Sequence, residues 1–114
     1  MKTNHITFAF CAFIVLSSFQ LIKTSLNVTV RDETGNTVAG ASVFLYEKQE
    51  DYEKEVNAVA LGTTDAKGYV KIKDLKNIPY FIIVRKDDKD NSGGGEKTEQ
   101  LEAKKINKIT VVIQ

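Results

Sequence analysis

The sequence predicts an all-β fold: a seven-stranded antiparallel β-sandwich behind a signal peptide. Three observations carry that expectation. Short segments alternate apolar with polar residues between Leu26 and Ile113. Turn signals separate them at near-regular spacing, notably Asp32 to Gly35 and Asp65 to Gly68. The first residues have the order of a leader: Lys2, then the uncharged apolar run Ile6 to Leu16, then Ser17 and Ser18.

The chain of 114 residues is enough for one domain and not two. The expected division is a signal peptide at 1–20 and a β-sandwich domain at 25–114. The rival for the leader is a membrane anchor. The run is interrupted by Ser17, Ser18 and Gln20, and falls short of the ~20 apolar residues of a spanning helix. Contact with a membrane is therefore expected only through an uncleaved leader. Cys11 is the one cysteine, and bulky Phe10 before it argues against lipidation. Cleavage removes Cys11 and the one histidine, His5, so the mature domain has neither a disulfide nor thiol chemistry. Without Lys2, basic and acidic side chains balance at 15 each, and no basic stripe points to nucleic acid. The expected location is secreted or periplasmic, in the cell envelope.

Leu26, Val28 and Val30 share one face of a first strand, with Asn27 and Thr29 on the other. Asp32 to Asn36 is a turn. Gly40 and Ala41 are small where the chain enters a second strand, which points Ala41, Val43 and Leu45 one way. Glu47 to Asn57 is highly charged and reads as a loop or a short helix, with Glu50 and Lys54 at the favourable i,i+4 spacing. Val59, Leu61 and Thr63 alternate in a third strand. Asp65 to Gly68 is a second turn, and Val70 and Ile72 alternate in the strand after it. Leu75 closes the core edge. Tyr80 to Lys86 is almost wholly apolar, as in a strand central to a sheet. Asp87 to Lys97, charged and glycine-rich, reads as a mobile loop. Thr98 to Lys105 reads as a weak edge strand. Ile109, Val111 and Ile113 alternate in the last strand. The expected inter-sheet residues are Val43, Leu45, Val70, Ile72, Ile82, Val84, Ile109 and Val111.

Two ordered motifs carry a resemblance. V-x-D-x-x-G-x-x-V-x-G-A-x-V-x-L runs from Val30 to Leu45, and T-T-D-x-x-G-x-V-x-I-x-x-L from Thr63 to Leu75. Tyr80, Ile82 and Val84 follow. The chain resembles the carboxypeptidase regulatory-like domain over Leu26 to Ile113. That implies a transthyretin-like, immunoglobulin-like Greek-key sandwich, and it implies little about function. The hydrolase branch of transthyretin-like folds, the 5-hydroxyisourate hydrolases, needs histidines and a C-terminal Tyr-Arg-Gly-Ser. Here the mature chain lacks histidine and ends Val111-Val112-Ile113-Gln114. Collagen-adhesin B-type repeats share the turn pattern, but their crosslinking lysine position is occupied by Val30.

Neither acidic turn has the six to eight oxygens that calcium takes, and Lys86 and Lys89 oppose a cation at Asp87, Asp88 and Asp90. No metal, cofactor or catalytic set is expected. Asn27-Val28-Thr29 is a glycosylation sequon that only a eukaryotic secretory route would use. If Val43, Leu45, Ile82 and Val84 point inward, Phe44, Tyr46, Phe81 and Ile83 point outward and form an apolar patch. Either the segment Glu47 to Asn57 covers it, with Tyr52 as plug, or the patch docks a protein partner or a second copy. The expected function is a non-catalytic binding or accessory module. The alternative is an accessory domain of a hydrolase, or an unrecognised hydrolase, using loop carboxylates.

Overall fold

The computed structural model describes residues 23–93 and 95–114. The expected leader at 1–20, with His5 and Cys11, lies outside the described residues. The rest is a two-sheet β-sandwich. Its elements are β1 (Ser25–Asp32), β2 (Ser42–Tyr46), the short helix α1 (Gln49–Lys54), β3 (Ala60–Thr63), β4 (Tyr69–Ile72), β5 (Phe81–Lys86), β6 (Lys89–Asp90) and β7 (Ile106–Ile113). One sheet has the order β4-β1-β7 and the other β3-β2-β5-β6.

The sheets meet over alternate residues of each strand. Leu26, Val28, Val30, Val43, Leu45, Ile82, Val84, Val111 and Ile113 are buried in one cluster. Val70 and Ile109, expected inside, are only half-buried at its margin. The largest fully buried side chain is Tyr80. Its hydroxyl accepts the Lys76 N–H at 2.9 Å, so the ring fills the core without orphaning its polar end.

The two Asp-to-Gly turns are built alike. Asp32 Oδ1 accepts from the N–H groups of Thr34 and Asn36 at 3.0 and 3.1 Å. Asp65 Oδ1 accepts from those of Lys67 and Tyr69 at 2.9 and 3.0 Å. The Thr34 hydroxyl first, then backbone donors, holds the Asp32 carboxyl below its ordinary range, and the Tyr69 and Lys67 N–H groups do the same for Asp65. Gly68 has φ +82°, and a Cβ there would stand 2.7 Å from Thr37 Cβ and 3.0 Å from the Val38 nitrogen. Its carbonyl accepts the Val30 N–H, so the second turn closes onto the first strand.

Four expectations need correction. First, the sandwich is not purely antiparallel, because β1 and β7 pair in parallel along eight residues. Period-two alternation carries no information on strand direction. Second, the third strand starts at Ala60 and leaves Val59 outside it, and it turns Leu61 outward while Ala60 and Gly62 face in. The cause is β4, since a Cβ on Gly62 would stand 2.6 Å from Val70 Cγ2. Third, the segment Asp87 to Lys97, expected as a loop between strands, contains β6, and its described residues are held to β5. Buried Asn91 ties it down: Oδ1 accepts the Val84 N–H at 3.0 Å, and Nδ2 donates to the Ile82 and Gly95 carbonyls, each at 3.0 Å. The carboxamide thus continues the β5 ladder where the two-residue β6 stops. Fourth, Thr98 to Lys105 forms no strand. Thr98 is fixed to Tyr80 in both directions instead, donating its N–H to the Tyr80 carbonyl and accepting the Tyr80 N–H on its hydroxyl.

Candidate interaction face

The outer face of the four-stranded sheet brings the candidate residues together. β2 and β5 pair so that Phe44 lies across from Ile83 and Tyr46 across from Phe81. On the other side of β2, Phe44 lies across from Leu61. A row Leu61–Phe44–Ile83 therefore crosses three strands.

One half of this face is closed by α1. Six residues do not hold a helix in isolation. Local pairs help: Gln49 donates to Glu53 at 3.1 Å, and Lys54 pairs with Glu50 at 2.9 Å. Glu50 and Asp51 in the first turn and Lys54 in the last suit the helix dipole. Glu55 ends the helix in the left-handed region and pairs with Arg85 on β5. That guanidinium holds the Glu55 carboxyl below its ordinary range.

The main attachment is Tyr52. Its ring stacks on Phe81 at 5.3 Å between centroids and meets Tyr46 edge-on at 6.1 Å. Lys97 Nζ sits 4.9 Å from the Phe81 centroid on the other flank. Tyr46 and Ile83 are consequently buried although they point away from the core, while Phe44 and Phe81 stay half-buried. Burial pushes the Tyr46 and Tyr52 phenols up, with Glu96 adding to the effect at Tyr52.

The other half, toward β3, is open. Leu61 is 65% exposed, and Val59, just before β3 in the chain, is 48% exposed. Alternation placed Phe44, Tyr46, Phe81 and Ile83 on this face from sequence, but it missed Leu61. Gly62 was the available signal: with a glycine on one side of the strand and leucine on the other, the close sheet-to-sheet approach falls on the glycine side.

A cleft between α1 and β5 carries Glu53, Glu55, Asp90 and Glu96 around Arg85. Asp90 is held below the ordinary carboxylate range, chiefly by its bonds from Ser92. Among the described residues no group of three or more His, Cys, Asp or Glu is placed to hold a metal ion. No family model matches this chain, and no curated protein matches it.

Proposed function

We propose that the chain is a non-catalytic, exported β-sandwich module, secreted or periplasmic, that works by contacting another protein through the β3 side of its outer face. The resemblance of Val30 to Leu45 and Thr63 to Leu75 to carboxypeptidase regulatory-like domains supports the module reading and its transthyretin-like Greek-key assignment. The observation that carries the function is exposed Leu61 across from Phe44, with exposed Val59 just before it in the chain, on a face whose other half is closed by the chain itself. A grouped set of exposed apolar side chains is an interaction surface by default.

The α1–β5 cleft is one of two acid-lined clefts that a carboxylate hydrolase would draw on, the other being lined by Asp32, Asp87 and Asp88. Proton transfer near neutrality wants a carboxyl raised toward that range. In this cleft Glu55 and Asp90 are both lowered, which argues against these two as proton donors near neutrality.

The test is site-specific photo-crosslinking in the cell that makes the protein. A crosslinker in place of Leu61 is expected to give discrete adducts. One in place of Thr29, on the outer face of the other sheet, is expected to give none. Equal adducts from both positions, or none from position 61, would overturn the proposal.

A further inference from the structure

We propose that the partner at this surface is a second copy of the chain, joined edge to edge through β3. This rests on reading the β3 side as a protein contact, and it names the occupant.

The sandwich has four sheet edges, and an edge strand is a template for another strand unless something blunts it. β6 has two residues, both charged. β4 carries Lys71, and β7 carries Lys108 and is tied near its end by reciprocal bonds between Gln114 and Asp90. β3 has no such guard. Residues 58–64 contain neither a charge nor a proline.

Among the described residues, β3 pairs on one side only. Thr64 N–H donates to the Ala41 carbonyl, so by ladder alternation Gly62 and Ala60 turn their N–H and C=O groups to β2. Leu61 and Thr63 turn theirs outward. A two-fold axis through Leu61 pairs Leu61 with Leu61 of the second copy, and Thr63 with Val59 of the second copy. Val59 N–H is already given to the Leu45 carbonyl at 2.8 Å, so that pair contributes only the bond from Thr63 N–H to the Val59 carbonyl. The two-fold repeats each bond.

This register has two consequences that favour self-pairing over an unrelated strand. The row Ile83–Phe44–Leu61 meets its twin at the axis, giving one apolar row across both chains. Charge does not oppose it, because Asn57 falls opposite Asp65 of the second copy and no like charges meet. The same patch serves both chains, as a two-fold interface requires. A four-residue edge with two apolar side chains, Ala60 and Leu61, falls below the ~1,200 Å² at which stable interfaces begin, so the pairing is weak and concentration-dependent.

The experiment is sedimentation velocity on the chain as its producing cell processes it, over roughly 10 µM to 1 mM, the range of weak pairing. The wild type is expected to rise toward double its mass, with slower amide exchange at Leu61 and Thr63. Leu61→Lys puts like charges on the axis, and Thr63→Pro removes the outward N–H. Each is expected to stay at single mass with an unchanged melting temperature. A wild type that remains at single mass at 1 mM overturns the self-pairing, as does association that Leu61→Lys leaves intact. Position-61 adducts that exceed chain mass by something other than a second chain would sink this inference and leave the broader contact reading standing.

Discussion

Replacing Asn91 by Ala should cost far more than its place in a charged, glycine-rich segment suggests. The side chain is 4% exposed and makes three hydrogen bonds. Two of them serve Val84 and Ile82, which are themselves buried on the central strand β5. Each buried group left without a partner costs about 1–3 kcal/mol. The Gly95 carbonyl is exposed and recovers its bond from water. Asn91→Ala should therefore lose about 2–5 kcal/mol, a large part of the roughly 5–10 kcal/mol that holds a domain of this size. Urea unfolding measures it, and the Val84 amide should lose its protection from exchange. Asn91→Asp keeps the acceptor for Val84 but turns an oxygen toward the Ile82 carbonyl. A buried carboxyl there has its folded pKa raised above the unfolded value of about 3.9, so its folded state is favoured below that pH and loses stability as pH rises. The deficit of Asn91→Asp against wild type should thus be larger at pH 7 than at pH 4. A loss under about 0.5 kcal/mol for Asn91→Ala, with Val84 still protected, would refute the reasoning.

Ile82→Ala should cost about 2–5 kcal/mol through lost burial and a residual cavity, while Lys89→Ala on the exposed two-residue β6 should stay within about 0.5 kcal/mol; denaturant melts rank them. Gly62→Ala should cost about 1–3 kcal/mol by overpacking against Val70, and a Gly62→Ala, Val70→Ala double-mutant cycle should show a favourable coupling that reports their contact. Asp32, Glu55, Asp65 and Asp90 all have lowered folded pKa values, so the stability they contribute is present above about pH 4 and lost as pH falls through those lowered values. Melting temperature should drop below pH 4, and Asp32→Asn with Asp65→Asn should flatten the drop. Ser25 Oγ is buried without a partner among the described residues, so Ser25→Ala should be neutral or slightly stabilising in a thermal melt.

Much of the sandwich was legible because burial leaves a period of two in the sequence. Leu26, Val28 and Val30 on β1, and Val43 and Leu45 on β2, announce their inward face directly. The outward facing of Phe44, Tyr46, Phe81 and Ile83 follows from the same alternation, whereas their pairing across β2 and β5 was expected from the sandwich topology, with Tyr52 in the charged segment as the residue able to cover them. What alternation misses has no apolar signature. Gly62 points inward because β4 leaves no room for a side chain, and a glycine adds nothing to a hydrophobic pattern. Asn91 acts as a peptide group for β5, and Thr64 does similar work where the chain enters β2, accepting the Ala41 N–H at 2.9 Å and donating to the Val38 carbonyl at 2.7 Å. Polar residues in such roles look like loop residues until the strand beside them is known. The parallel pairing of β1 with β7 joins segments some 80 residues apart, beyond the reach of any local pattern.

One half of the outer face is closed by α1, and the half beside β3 is the proposed contact surface. Urea unfolding of Tyr52→Ala beside Leu61→Ser, at micromolar chain, tests that division most directly. Tyr52→Ala removes the stacking on Phe81 and the edge contact with Tyr46, and should lose about 1–3 kcal/mol at about 0.5–1.5 kcal/mol for each aromatic pair. Leu61→Ser alters a side chain already 65% exposed and should stay within about 0.5 kcal/mol. Comparable losses for the two would contradict the account, because Leu61 would then belong to the fold and β3 would hold no open surface.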